Sequence, residues 1–257
     1  MSQRGERPLT CSTPLRGRSL RIVSANLWNG GADPDAFAEL VDALGADVVA
    51  TQEMSPEQAD ALARVMPYGR LEPARDFNGM GIALRTPADV RHLPLPVRNA
   101  RLADLRWSDP SGARLELEVL NVHVQAPHSP PHLQARAIRR GQVNGLLHHL
   151  RASPERARIM VGDFNATPLW PAYRRLATHL TDAALAVAQR HGRTVRPTWG
   201  PWPGAPRLLR IDHAFVHGLT VDDFRVLPIT GADHSAIVID LAAPVSAARP
   251  ALVHGRE

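Results

Sequence analysis

Apolar residues along this chain fall into short runs separated by stripes with helical spacing, and this alternation predicts a mixed α/β fold. A first run at residues 20–24 is typical of a buried strand. Asp33 then caps a helix that has Pro34 at its first position and ends at Gly45. Four residues of this helix share one apolar face: Phe37, Leu40, Val41 and Leu44. A second buried run at residues 46–51 completes a strand–helix–strand unit, which predicts two parallel strands.

The middle of the chain has shorter apolar segments with turn signals between them. A helix beginning at Ser55 and Pro56 precedes this region, which extends from residue 68 to residue 119. The segments predict antiparallel strands and hairpins at residues 79–84, 90–95, 102–107 and 115–121. The residues Asp-Pro-Ser-Gly at positions 109–112 are a strong turn signal. We therefore expect hairpins to follow the parallel unit.

The second half of the chain returns to longer elements. A long helix is predicted at residues 131–150, where one apolar stripe runs from Val143 to Leu150. The remaining predicted elements are a strand at 159–161, helices at 169–178 and 181–191, and strands at 208–216, 221–227 and 236–241. We predict three regions: a disordered basic leader at residues 1–19, one folded domain at residues 20–242, and a C-terminal tail at residues 243–257.

The net charge of +5 comes mainly from the two ends of the chain. Five arginines against one glutamate give +4 in the first 21 residues, and two arginines against one glutamate give +1 in the last 15. The predicted domain is therefore close to neutral. A processive DNA-binding nuclease normally has a basic face, so this balance argues against that class. Every basic residue is arginine rather than lysine, which we attribute to genome composition.

Sequence features also bear on the membrane and the cellular compartment. No apolar run approaches the roughly 20 residues that a transmembrane helix needs. Residues 1–19 lack the apolar segment of a signal peptide. The single cysteine, Cys11, cannot form an internal disulfide, which fits a reducing compartment. We therefore predict a monomer in the cytoplasm, without stable membrane insertion.

Polar side chains of catalytic types stand at the ends of the buried strands. Asp163 and Asn165 follow the strand at 159–161, and alternate residues of an extended segment point to the same side. An Asx turn, in which both side chains cap their own backbone, is the alternative for this pair. The same design recurs at the other strands, so we expect one site built from eight residues: Asn26, Glu53, His123, Asp163, Asn165, Asp212, Asp233 and His234.

These residue types suit the hydrolysis of a phosphoester. Carboxylates bind a hard cation such as Mg²⁺, which polarises a phosphoryl oxygen. Neutral amide groups orient phosphate oxygens without repelling them. A histidine beside a carboxylate can transfer protons near neutral pH.

Six motifs carry a resemblance to a known family. They are Asn26, Gln52-Glu53, Asn121-Val122-His123, Gly162-Asp163-Phe164-Asn165, Ile211-Asp212-His213 and Ala232-Asp233-His234. In this order they resemble the motifs of the endonuclease/exonuclease/phosphatase superfamily, and most closely its deoxyribonuclease and sphingomyelinase branches. The resemblance covers residues 20–241. It implies a four-layer α/β/β/α sandwich of two packed mixed sheets, with the site at one edge.

The resemblance also implies a role for each residue. Glu53 resembles the principal ligand of Mg²⁺ or Mn²⁺, with Asn26 and Asp233 contributing. Asp163 and Asn165 resemble the pair that positions the attacking water and the phosphate. His234 resembles the catalytic histidine, held by Asp212. Either Asp163 or His234 can be the general base.

His123 separates the branches of the family. The deoxyribonuclease and sphingomyelinase branches have a histidine at this position, which favours a phosphodiester substrate and a role for His123 as a general acid or a donor to the phosphate. A structural histidine is the alternative. Nucleic acid is the first expectation for the substrate on family frequency. The alternatives are a lipid or small-molecule phosphodiesterase or phosphatase, and a binding module that has lost catalysis.

Trp28 and Trp202 are the candidates for the substrate wall, because indole rings stack on bases or cover a lipid headgroup. We expect Trp199 and His213 to pack in the interior instead. The arginines at 136, 139 and 140 are expected on a solvated helix face.

Overall fold

Two mixed β-sheets pack face to face in the computed structural model, which describes residues 15–16, 19–108, 114–129 and 133–242. The strands are β1 (Leu15–Arg16), β2 (Leu20–Asn26), β3 (Val48–Gln52), β4 (Tyr68–Glu72), β5 (Met80–Leu84), β6 (Val90–Leu93), β7 (Ala100–Ser108), β8 (Arg114–His123), β9 (Arg158–Asp163), β10 (Thr181–Asp182), β11 (Asp212–His217), β12 (Thr220–Pro228) and β13 (Ser235–Ala242). The helices are α1 (Pro34–Leu44), α2 (Pro56–Val65), α3 (Ala135–Ala152), α4 (Pro171–Ala177) and α5 (Ala183–His191).

The first sheet has the order β1-β7-β8-β9-β11-β10, with β6 paired to β7, and the second has the order β12-β13-β2-β3-β5-β4. Three apolar clusters hold the layers together. One lies between the sheets and includes Ile22 and Ile159. A second joins one outer face to α1 and α2, and a third joins the other outer face to α3 and α4. The predicted four-layer α/β/β/α sandwich is therefore confirmed.

The strand–helix–strand unit folds as its sequence predicts. Strands β2 and β3 pair in parallel. Asp33 caps α1 by accepting a hydrogen bond from the Ala36 N–H, and Gly45 ends the helix in the left-handed conformation with φ 59°. Ser55 and Gln58 form a capping box at the start of α2. This unit places the ends of β2 and β3 at one edge of the second sheet.

Several elements differ from the sequence-based prediction. Strand β4 was not predicted, because it is an exposed edge strand with no run of buried positions. The strand predicted at 208–216 begins only at Asp212, since Leu208 and Leu209 are exposed. Within the predicted disordered leader, residues 15–16 pair in parallel with β7 rather than standing free. The turn at 109–112, Cys11, and the tail at 243–257 lie outside the described residues.

Over the described ranges, the structure has no helix that combines the length and the apolar character needed to cross a membrane.

His213 lies beneath the site, in the aromatic interior between β11 and α4. Its side chain is fully buried and its Nε2 lies 2.7 Å from the Ala166 carbonyl oxygen. Tyr173, Phe164 and Phe215 surround the ring. This environment agrees with the predicted packing role. Burial lowers the pKa of His213 to about 4, and the nearby charge of Arg210 adds to that effect.

We predict that His213 makes the fold sensitive to mild acid. The unfolded chain binds a proton at His213 near pH 6.5, whereas the folded chain resists it down to about pH 4, so stability falls as the pH drops through this window. The loss is on the order of 3 kcal/mol. Urea unfolding at pH 7 and pH 4.5 should give a smaller difference for His213→Gln than for the wild type. The matched His191→Gln change, at an exposed histidine, should keep the wild-type difference, and a wild-type pH dependence in His213→Gln would contradict this account.

Candidate active site

The registers of three adjacent strands bring three predicted site residues side by side. Strands β8 and β9 are parallel, with His123 opposite Asp163. Strands β9 and β11 are antiparallel, with Asp163 opposite Asp212. Gly162 permits this approach, because a Cβ atom there would lie 1.9 Å from the Val122 carbonyl oxygen. A polar row therefore crosses the edge of the first sheet.

The carboxylate of Asp163 is the centre of the site. Its Oδ2 accepts hydrogen bonds from Asn26 Nδ2 at 3.1 Å and from Asn165 Nδ2 at 2.9 Å. The Nε2 atoms of two histidines also face it, His123 at 3.7 Å and His234 at 3.9 Å. Asn26 belongs to the second sheet, so the site spans both sheets.

Asp163 and Asn165 both face the site, and they also form the Asx turn that was the alternative interpretation of this pair. The Asn165 N–H donates to Asp163 Oδ1 at 2.7 Å, which is an Asx turn. Asn165 Nδ2 also donates to the Val124 carbonyl oxygen at 3.1 Å. The turn thus fixes both side chains in the site, so the two interpretations are compatible.

Two residues of the polar cluster have strained backbones. Asn165 has φ 47° and Glu53 has φ 54°, both in the left-handed region that non-glycine residues seldom occupy. Such strain costs about 1–3 kcal/mol per residue and is concentrated at functional sites. At Glu53 it directs the side chain toward Asn26, whose Nδ2 lies 3.1 Å from Glu53 Oε1.

His234 and Asp212 form a histidine–carboxylate dyad. The Nδ1 of His234 donates to Asp212 at 2.9 Å and 3.1 Å, to one oxygen each. This bond leaves Nε2 turned toward Asp163. Burial opposes the positive charge of His234, but Asp212, with Asp163 and Asp233 adding, raises its pKa to about 10. The dyad therefore has the geometry predicted from the sequence.

Crowded acids give the site an excess of negative charge. Burial raises the pKa of Asp163, Glu53 and Asp233, and neighbouring carboxylates raise each of them further. His123 has a pKa well below its usual range because burial, Arg98 and His234 all disfavour its charged form. A cation placed among these acids would relieve their mutual repulsion.

The donor set fits a hard divalent cation. Ligand atoms of Glu53, His123 and Asp163 lie within 4.8 Å of one another, as do those of Asp163, Asp212 and His234. Asp233 Oδ1 is buried and accepts no hydrogen bond from the described residues. Carboxylate oxygens of this kind are the ligands that Mg²⁺ and Mn²⁺ prefer.

The predicted metal ligands differ in how directly they face this cluster. Asn26 lies against Glu53 but presents its Nδ2, since its Oδ1 accepts a hydrogen bond from the Trp28 N–H at 3.0 Å. Asp233 uses Oδ2 to accept a 3.0 Å bond from Trp199 Nε1. The roles of these residues as ligands stay predictions.

A cleft of about 480 Å³ opens over this cluster, and aromatic residues form part of its wall. Trp28 lines it, as predicted. Trp202 is not among its lining residues, although it is exposed, because its loop directs Trp199 into the cleft instead. Trp199 was expected in the interior, and Trp170 was not anticipated at all.

Arg139 was expected in solvent but is buried. Its guanidinium donates to the carbonyl oxygens of Gln125 and Asn165 and lies over the Trp170 ring, 5.6 Å from the ring centre. It connects α3 to the two loops that follow β8 and β9. The exposed positions Arg136 and Arg140 agree with the prediction.

Arg207 holds the segment that carries Asp233 and His234. Its Nη2 donates to the carbonyl oxygens of Ala232 and His234 at 3.0 Å, and its Nε donates to Ser235 Oγ at 3.0 Å. A planar guanidinium can reach several acceptors in fixed geometry, which an ammonium group cannot. No sequence motif marked this residue, because its partners are mainly backbone atoms.

Arg98 lines the cleft, and no sequence motif marked it. It donates to Asn78 Oδ1 at 3.3 Å and 3.4 Å and to the His123 carbonyl oxygen at 3.4 Å. Val97 precedes it with φ 67°, an unfavourable conformation for a β-branched residue. Burial lowers the pKa of Arg98, while Glu53 and Asp163 counteract this effect.

Comparisons with known proteins identify the family. The family model described as the endonuclease/exonuclease/phosphatase family matches residues 23–234. The chain therefore belongs to this family. A search of curated proteins gives no match.

Solved structures have the same fold at low sequence identity. An endonuclease/exonuclease/phosphatase from Bacteroides vulgatus is 18% identical with a TM-score of 0.65, over 88% of this chain and 99% of that one. A humanized Danio rerio TDP2 is 21% identical with a TM-score of 0.63, over 88% and 99%. The human Nocturnin catalytic domain with a bound sulfate is 18% identical with a TM-score of 0.62, over 91% and 97%. Family and fold together support a phosphoester hydrolase.

We predict that Arg207 contributes to activity by holding His234 in place. Arg207→Met removes three hydrogen bonds to the segment 232–235, so we expect kcat for bis-p-nitrophenyl phosphate to fall about 10- to 100-fold, as for a loosened catalytic group. Arg207→Lys should recover only part of this loss. Circular dichroism would verify folding, and Arg140→Met on the exposed helix face is the control. Full activity in Arg207→Met would show that the segment holds its position unaided.

Proposed function

We propose that this chain is a divalent-metal-dependent phosphodiesterase. The observation that carries the proposal is the convergence on Asp163 Oδ2 of two amide donors and two histidines, beneath an open cleft. The neighbouring His234–Asp212 dyad adds a group able to transfer protons. Phosphoester hydrolysis needs these functions together.

Glu53, with Asn26 and Asp233 beside it, would hold Mg²⁺ or Mn²⁺. When bound, the cation would polarise a phosphoryl oxygen and stabilise the negative charge of the transition state. Asp163 and Asn165 would orient a water molecule for in-line attack on phosphorus. Asp212 keeps the Nε2 of His234 directed into the site, where it can hold or deliver a proton. Asp163 or His234 would take the proton of the water. Asp163, with a pKa of about 7, is the better acceptor at neutral pH, because His234, with a pKa of about 10, already holds a proton.

His123 supports a diester rather than a monoester substrate. Its Nε2 lies 3.5 Å from Glu53 Oε1 and 3.7 Å from Asp163 Oδ2, inside the acid cluster. From there it can donate to a phosphate oxygen or to the departing group. This position favours a role in the reaction over a purely structural histidine.

Nucleic acid remains the first expectation from family frequency alone, with lipid and small-molecule phosphodiesters as alternatives. A noncatalytic binding module would be expected to have lost part of the acid–histidine set, and Glu53, Asp163, Asp212 and His234 are all present. The monomeric state and the cytoplasmic location stay predictions, which light scattering and cell fractionation would check.

We predict that Glu53→Gln or His234→Ala abolishes turnover of bis-p-nitrophenyl phosphate, as EDTA does. Glu53 is crowded by other acids, so its neutralisation should leave the melting temperature unchanged or raise it. The exposed Glu57 offers the matched control, and Glu57→Gln should keep full activity. Metal-dependent turnover that survives in either site variant would refute the site assignment.

We further propose that Arg98 binds a non-bridging oxygen of the substrate phosphate. Among the described residues, its hydrogen-bond partners are neutral oxygens at 3.3–3.4 Å, so its charge is available to an anion in the cleft. Val97, directly before Arg98, has a strained backbone conformation. Such strain is expected where the backbone is held in place so that the Arg98 side chain faces the cleft.

We predict that Arg98→Gln raises KM for bis-p-nitrophenyl phosphate about tenfold or more, since a charged hydrogen bond contributes roughly 1.5–3 kcal/mol. Arg98→Lys should lose less, because it keeps the charge without the planar geometry. Steady-state kinetics for both variants, with Arg140→Gln as the control, would check this. An unchanged KM in Arg98→Gln would exclude phosphate contact.

A further inference from the structure

Apolar side chains are exposed in the wall of the cleft. Four large apolar side chains that line it remain at least 38% exposed: Trp28, Phe77, Trp170 and Leu209. Trp199 is also partly exposed there. Exposed aromatic surface of this kind is costly in water, and a ligand with apolar surface would cover it.

The Trp170 ring is supported on one face by an arginine. Arg139 lies over its ring, and the guanidinium is itself fixed by the carbonyl oxygens of Gln125 and Asn165. Trp170 lies five residues after Asn165 and is 38% exposed. A ring supported on one side in this way can offer its remaining surface to a ligand with little loss of conformational entropy.

The charges around the cleft suit one phosphate group. Of the described residues, Arg98 is the arginine that lines it, and the chain contains no lysine. The other ionisable lining residues are acids or histidines: Glu53, Asp163, Asp233, His123, His128 and His234. A polymer with flanking phosphates would meet acids and aromatic rings instead of cations.

The size of the cleft also fits a small molecule. Its volume of about 480 Å³ lies inside the range of ordinary small-molecule sites. Its lining combines apolar walls with a few convergent polar groups at the floor, which is the usual design of such sites.

We infer that the substrate is a small phosphodiester with a single phosphate and an aromatic ester group, which packs on Trp170 while the phosphate lies over Asp163. This inference rests on the proposed phosphodiesterase function. Within that function it selects the small-molecule phosphodiester over the nucleic acid expected from family frequency. The ester group would contact Trp170, and the aromatic side chains of Phe77 and Trp28 would complete the wall.

Two ligands of equal charge test the inference. Diphenyl phosphate and dimethyl phosphate are both monoanionic diesters and differ only in their ester groups. Isothermal titration calorimetry with Mg²⁺ should give about tenfold tighter binding of diphenyl phosphate to the wild type, as expected for one stacked ring. Trp170→Leu should reduce this preference below about threefold, whereas Trp170→Phe should keep most of it.

Trp202→Leu is the matched control, because Trp202 is exposed but does not line the cleft, and it should retain the wild-type preference. Equal affinity for both ligands, or a preference that survives in Trp170→Leu, would overturn the inference. Tighter binding of a ten-residue oligothymidine, with steep salt dependence, would also overturn it and indicate a nucleic-acid substrate. These binding measurements do not depend on turnover. The absence of turnover would therefore refute the proposed function, whereas the preference for diphenyl phosphate would be decided separately by the measured affinities.

Discussion

The buried carboxylate of Asp163 sets the conditions for the rest of the structure. A buried negative charge is tolerated only where donors or cations compensate it, and here two amide groups and two histidines surround one oxygen atom. The amides come from Asn26 in one sheet and Asn165 in the loop after β9. The compensation of a single charge thus depends on the packing of the two sheets and on a strained turn. Burial and the neighbouring acids Asp212 and Glu53 raise the pKa of this carboxyl, and His234 and the Asn165 N–H oppose that rise.

Around this centre, arginines fix the backbone rather than pair with acids. Arg139 and Arg207 each donate to the carbonyl oxygen of a site residue, Asn165 and His234 respectively. Arg98 does the same for His123 over a longer distance. A guanidinium has several donors in a rigid plane, so one side chain can hold two or three carbonyl groups at fixed spacing. We conclude that these three arginines have a structural role at the site.

The sequence predicted those parts of the molecule in which residue type and spacing alone indicate the structure or the chemistry. Buried runs and caps such as Asp33 predicted the elements of a mixed α/β fold, and catalytic residue types at strand ends predicted one site of eight residues. The four-layer arrangement followed from the family resemblance. Arg98, Arg139 and Arg207 escaped prediction because they act on backbone carbonyl groups, which every residue has. Trp199 lines the cleft and Trp202 does not, which the sequence could not show, since their side-chain directions depend on a loop with no periodic pattern. Strand β4 escaped for a related reason: an exposed edge strand lacks an apolar run.

The distribution of the site over both sheets has a consequence for folding. Asn26 and Asp163 are 137 residues apart in the sequence, and their hydrogen bond forms only when the two sheets have docked. Contacts between such distant residues form late and slow the folding of a domain. Local secondary structure can therefore appear well before the acid cluster is assembled. During refolding, the acid cluster should therefore form later than the far-ultraviolet dichroism signal, which makes the cluster a specific reporter of sheet docking.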